Sequence, residues 1–196
     1  MQKTDEIIQY LNEQLSEIRF RHTMGVAETA VSLAKKWGAD ENKAYLAGLV
    51  HDCAKEIPPK DAVRKLEDFG YFPDELELQA SALLHAPLGA YLTKEVFGIH
   101  DEDVLNAVRY HTTGRVGMTL LEKIIYVADF IEPGRKYTEA QLVRTLAESD
   151  IDAAVLKEAD TVIKFTIDKG RMIHPDTILA RNSMLKLIKE GKTNES

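Results

Sequence analysis

The sequence predicts an all-α protein built as a single helical bundle. Three observations carry that prediction. Apolar residues recur at steps of three and four along most of the chain, capping residues stand at the ends of those stretches, and no alternating apolar–polar run of useful strand length interrupts them.

The elements follow in order. Thr4 before Asp5 and Glu6 reads as an N-cap with an acidic first turn, opening a short helix to about Leu15. A second helix is expected from about Arg19 to Trp37, stopped by Gly38. Asp40 caps a third, Glu41 to about Lys55, which Pro58-Pro59 prevents from continuing. A fourth, Pro58 to Phe69, ends at Gly70. Further helical patterns cover about Glu75 to Phe97, Asp103 to His111, Leu120 to Ile131, Glu139 to Ala147, Ile151 to Lys169 and Pro175 to Lys189. Short Gly, Pro and Asp punctuations separate them, and the tail from Gly191 to Ser196 is expected to fray. No repeat, low-complexity segment or internal boundary is visible, so residues 1–196 read as one domain.

Composition narrows the function. The 196 residues are 44% hydrophobic and 29% charged, ordinary for a soluble globular chain. No apolar stretch approaches the roughly 18 to 20 residues that span a bilayer, and the acidic, amphipathic N-terminus does not read as a secretory signal. The lone cysteine, Cys53, cannot form an internal disulfide, so a cytoplasmic location is expected. A net charge of -7 argues against wholesale nucleic-acid binding but leaves room for a small anionic substrate.

The chemistry lies in an ordered set of donors: His22, His51-Asp52, His85, His111 and Asp129. His22 shares a helical stripe with Val26, Thr29 and Leu33. His51 lies on that of Ala44, Ala47 and Gly48. His111 ends the stripe of Val104 and Ala107, and Asp129 that of Met118, Leu121 and Ile125. Each donor therefore points inward. One inward histidine is usually a hydrogen-bonded core residue, but several with two inward aspartates are hard to satisfy in an empty core. A bound cation compensates all of them at once. Neighbouring helical residues diverge by about 100°, so His51 and Asp52 can share an ion only near a helix end. Imidazole and carboxylate donors without thiolate suit Fe, Mn, Co or Mg with open positions rather than a closed structural zinc site. Cys53 reads as a small buried residue, and His100 and His174 as structural.

Cations accompany the donors. Arg19 precedes His22 by three and Lys55 follows His51 by four, the spacing of one helical face. A cation beside a metal is unfavourable unless an anion lies between them, and phosphate is the obvious anion; surface ion pairing is the alternative for each. Arg135, in the turn after Asp129, adds a third, and Tyr137 could stack on a base. Thr112, Thr113 and Gly114 offer hydroxyls or N–H groups, though a plain turn explains them equally well.

The ordered H…HD…H…H…D pattern resembles the HD-domain superfamily of metal-dependent phosphohydrolases. The segments RFRHTMGVAETA, LVHDCAKE, LLHAPLGA, VRYHTTGR, YVADFIEPGRKY and IHPDTILARN look like the YqeK family of bacterial HD proteins over about residues 17–186, with no departure from the pattern. That resemblance implies symmetrical hydrolysis of diadenosine tetraphosphate to two ADP, by an often dimeric α-helical protein using iron or a similar divalent metal. It also implies that His22, His51, Asp52 and Asp129 hold the principal metal. His85 and His111 would hold a second metal or contact phosphates, and Arg19, Lys55, Thr112 and Arg135 would bind the nucleotide. Asp52 and Lys55 would be the catalytic pair, Asp52 taking the proton of water. The alternatives are another HD phosphohydrolase, a nucleotidase or a phosphodiesterase of a signalling nucleotide, and a nucleotide sensor without turnover.

Overall fold

A computed structural model describes residues 2–194. Among them are eleven α-helices, one 3-10 turn (Ser81–Leu83) and no strand. The helices are α1 (Gln2–Gln14), α2 (Glu17–Trp37), α3 (Glu41–Val50), α4 (Pro59–Asp68), α5 (Glu75–Gln79), α6 (His85–Glu95), α7 (Glu102–Tyr110), α8 (Leu120–Ile131), α9 (Thr138–Ala147), α10 (Ile151–Asp168) and α11 (Pro175–Asn194).

Helix ends were the most local signals, and most hold. Gly38 closes α2 with φ 75°, a left-handed conformation open to glycine without strain. Asp40 accepts from the N–H groups of Asn42 and Lys43 to start α3. Thr119 and Glu122 form a capping box on α8. Thr4, by contrast, lies inside α1 and caps nothing, because the helix already starts at Gln2. The C-terminal helix continues to Asn194 instead of fraying from Gly191, and the last two residues lie outside those described.

Two departures matter for the site. The third helix stops at Val50 rather than Lys55, and residues 51–56 form tight turns in which Cys53 N–H bonds to Val50 O and Lys55 N–H to Asp52 O. The expected helix from Glu75 to Phe97 breaks into α5, the 3-10 turn and α6. Pro87 lies in the first turn of α6, where its missing N–H removes no helical bond, so a helix that restarts at His85 is compatible with it while a continuous one is not.

The core is the packing of α2, α3, α7 and α8, with α6 against α7 and α9–α11 stacked beyond α8. Helix α8 runs through the middle and buries Ile124, Ile125, Val127 and Ala128 completely. Helices α2 and α3 approach closely because position 48 is glycine: a Cβ there would sit 2.8 Å from the Cα of Ala27. No helix among the described residues is long and apolar enough to cross a membrane.

Candidate metal centre

The ends of five helices converge on one point. The first turns of α2 bring Arg19 and His22. The turn after α3 brings His51, Asp52 and Lys55. His85 opens α6, His111 follows α7, and Asp129 lies near the end of α8. All six expected donors therefore meet.

Asp52 stands at the centre. Its Oδ1 is 3.1 Å from His85 Nε2 and 3.5 Å from His111 Nε2, while its Oδ2 faces Nε2 of His51 at 3.7 Å and of His22 at 3.9 Å. Asp129 Oδ1 is 3.1 Å from His22 Nε2. Three imidazoles share one device. Nδ1 of His51, His85 and His111 donates to the carbonyl three residues earlier, Gly48 O, Ala82 O and Val108 O, at 2.7, 2.6 and 2.7 Å. With Nδ1 carrying the hydrogen, each Nε2 turns its lone pair toward Asp52. His22 follows the same logic with a carboxylate, its Nδ1 lying 3.2 Å from Glu132 Oε1.

Acceptors thus face acceptors in a buried space. His51 is 0% and Asp52 2% exposed, and His22 Nε2, His51 Nε2 and Asp52 Oδ1 are buried without a hydrogen-bond partner among the described residues. Only a cation or a proton reconciles such a set. Burial opposes charging His22, yet its pKa is raised, because Asp129 and Glu132 outweigh burial and the opposing charge of Arg135. Complete burial holds His51 down to about 4, against the pull of Asp52 and Asp129, so it is a neutral donor at physiological pH. Asp52 is buried and Asp129 half-buried, which opposes their charge, but the surrounding imidazoles keep both carboxyls below the usual carboxylate range. Two overlapping groups, His22–His51–Asp129 and His51–Asp52–His111, have ligand atoms within 4.8 Å of one another. The donor set fits a metal.

The expected cations arrive as well. Arg19 Nη1 is 3.3 Å from Asp52 Oδ2, Lys55 Nζ is 3.5 Å from Asp52 Oδ1 and 3.0 Å from His85 Nε2, and Arg135 Nη2 is 3.2 Å from Asp129 Oδ1. Lys55 arrives through the tight turns, not as a helical neighbour of His51. Arg19, Lys55 and His85 line a cavity of about 260 Å³. Thr112 and Tyr137 stand apart: among the described residues no hydrogen bond joins either to the donors, and the hydroxyl of Tyr137 donates to Phe130 O at 3.4 Å. His100 is exposed, and His174 Nδ1 accepts from the N–H of Asp176 at the start of α11.

Two residues that the sequence reading passed over hold this geometry. Glu132 fixes His22 and accepts from Gly134 N–H, and its place three residues after Asp129 was the available signal. Arg144 of α9 donates to the carbonyls of Ile131, Glu132 and Arg135, tying down the turn; nothing local announces that role.

The model of the HD domain family matches residues 19–134, which span every donor. The chain belongs to the HD domain family. HD-domain hydrolases are metal-dependent, in keeping with the His/Asp groups found here. This HD-domain chain is 44% identical over 178 residues to a protein of Halalkalibacterium halodurans named bis(5'-nucleosyl)-tetraphosphatase, symmetrical, covering 91% of this chain and 95% of that one. A protein of the same name from Bacillus subtilis is 43% identical with the same coverage. The fold matches, with a TM-score of 0.91 and 47% identity, a crystal structure from Clostridium acetobutylicum described as a predicted HD superfamily hydrolase involved in NAD metabolism, covering 93% of this chain and 97% of that chain.

Proposed function

We propose that this chain hydrolyses diadenosine tetraphosphate symmetrically to two ADP. The observation that carries the reading is the position of Asp52, a buried carboxylate with an imidazole pair at each oxygen and the cations Arg19 and Lys55 alongside. The relatives named for this activity supply the substrate.

His22, His51, Asp52 and Asp129 would hold the principal divalent metal, and His85 and His111 a second ion or the phosphates. Such a metal, iron in this reading and Mn, Co or Mg as substitutes, supplies activation of water and polarisation of a phosphoryl oxygen. The chain's own groups do the rest. Asp52, ionised at neutral pH, is the acceptor for the proton of the attacking water. Lys55, Arg19 and Arg135 neutralise charge that develops on the leaving phosphate, the larger part of phosphoryl-transfer catalysis. Thr112 contacts the nucleotide beside His111, and Tyr137 contacts a base. The reading places the protein in the cytoplasm as one domain, acting as a homodimer.

Product analysis of metal-loaded protein tests it. ADP as sole product is expected, whereas ATP with AMP, or no turnover at all, overturns it. Asp52→Ala should lose metal content and turnover together; a variant that keeps both refutes the assigned role.

A further inference from the structure

A second cavity adjoins the donor cluster at Arg135. It encloses about 780 Å³, and its wall runs from Arg135 across Phe130 and Tyr137 to Lys157, Lys164 and Phe165 of α10. Arg135 belongs to both places, since its guanidinium also reaches Asp129 at 3.2 Å. The cluster therefore adjoins two cavities, the smaller one lined by Arg19, Lys55 and His85 and the larger one lined by Arg135.

The larger one is equipped for a base. Tyr137 is 41% and Phe165 52% exposed, so both rings have free area. Tyr137 is held in place by edge-on packing against Phe130 at 5.5 Å and by its hydroxyl bond to Phe130 O. Glu139, Asp160 and Asp168 line the wall together with Lys157 and Lys164, so the groove carries both signs of charge, and what it offers a base is the two exposed rings. None of the six donors is among the residues that line this groove, which meets the cluster through Arg135.

We propose that this groove seats one nucleoside of the dinucleotide, its base against Tyr137 and Phe165 and its adjoining phosphate met by Arg135. The inference rests on the function proposed above. A substrate with a base at each end of a phosphate bridge needs a place for both ends when the bridge is cut in the middle, and two separate cavities adjoin the cluster, one at His85 and one at Arg135. Base–aromatic stacking is worth about 1–3 kcal/mol per base, enough to set KM without touching the bond-breaking step.

The test compares the full metal-loaded chain with Tyr137→Ala, Phe165→Ala and the double variant. In the double variant KM for diadenosine tetraphosphate should rise about tenfold or more, with the loss falling on KM rather than kcat. Calorimetric ADP binding should weaken in parallel. Unchanged KM and ADP affinity would overturn the proposal. So would a change of sedimentation in Phe165→Ala without a change of KM, which would make the ring a self-association contact. ADP binding is read without turnover, so it judges the groove separately: a wild-type protein that binds ADP through these rings yet leaves the dinucleotide intact defeats the hydrolase reading, not the groove.

Discussion

Nδ1 of His22 and Oε1 of Glu132 meet at 3.2 Å, linking α2 to the turn after α8 across 110 positions of chain. Glu132 is 6% exposed, and a Cβ at Gly25 would stand 3.0 Å from its Oε2, so the carboxylate has little room to move. It sets the tautomer of His22 and leaves Nε2 free for an ion. Partners of this kind are worth 10- to 100-fold in metal affinity. Glu132→Ala should weaken metal binding by about that factor in a chelator-competition titration; wild-type affinity would mean that His22 is held by something else.

Gly48 carries the tight crossing of α2 and α3. The atom nearest its imagined Cβ is backbone, Ala27 Cα at 2.8 Å, which cannot rotate aside as a side chain would. Gly48→Ala should cost about 1–3 kcal/mol, the usual range for overpacking, and lower the thermal midpoint. An unaltered melting curve would contradict so close a contact.

Glu158 is a buried carboxyl, 4% exposed, whose Oε2 has no hydrogen-bond partner among the described residues. Burial raises its pKa well above the usual value, the charge of Asp129 adds to this, and Arg135 opposes it. The folded chain therefore keeps this proton over a range where the unfolded chain has lost it. The stability it contributes is complete below the ordinary carboxylate pKa and declines as pH rises toward the folded value, by at most about 1.4 kcal/mol per pH unit. Urea titrations of metal-free protein between mildly acidic and neutral pH should show that decline, and Glu158→Gln should flatten it. Equal slopes in both proteins would remove Glu158 as its source.

Cys53 is 6% exposed, and its Sγ–H faces Gly89 O at 3.7 Å. Burial pushes its pKa up to about 12, so the reactive thiolate is scarce at neutral pH. Thiol reagents should label the native protein only as fast as it opens, at a rate that tracks stability across variants. Rapid labelling under native conditions would place the thiol at the surface.

Much of this was legible in the chain because the signals are local. Asp40 and Gly38 mark helix ends through their own side chain and backbone, and the inward register of His22 and His51 follows from apolar neighbours a turn away. The break before His85 was hidden: 75–97 carries one continuous apolar pattern, and the restart at Pro87 is recognised only when a folded neighbour needs His85 aimed at Asp52. Lys55 reaches Asp52 through the turns after Val50 and not along a helical face, since spacing does not reveal that α3 has already ended. Glu132 escaped because its partner is remote in sequence, and Arg144 because its bonds go to carbonyls, which no side-chain pattern reports.

The three carbonyl-anchored imidazoles impose a rule on chain length. A helix leaves its last carbonyls without internal donors, and at Gly48 and Val108 the bond that satisfies one of them also aims a ring at Asp52. Adding one residue inside either three-residue interval would swing the ring by about 100° and separate it from its carbonyl. The connections between helices tolerate insertion; these short ends do not. The reaction centre therefore constrains where helices stop as strictly as which residues they carry, and drift in such a chain is confined to its loops.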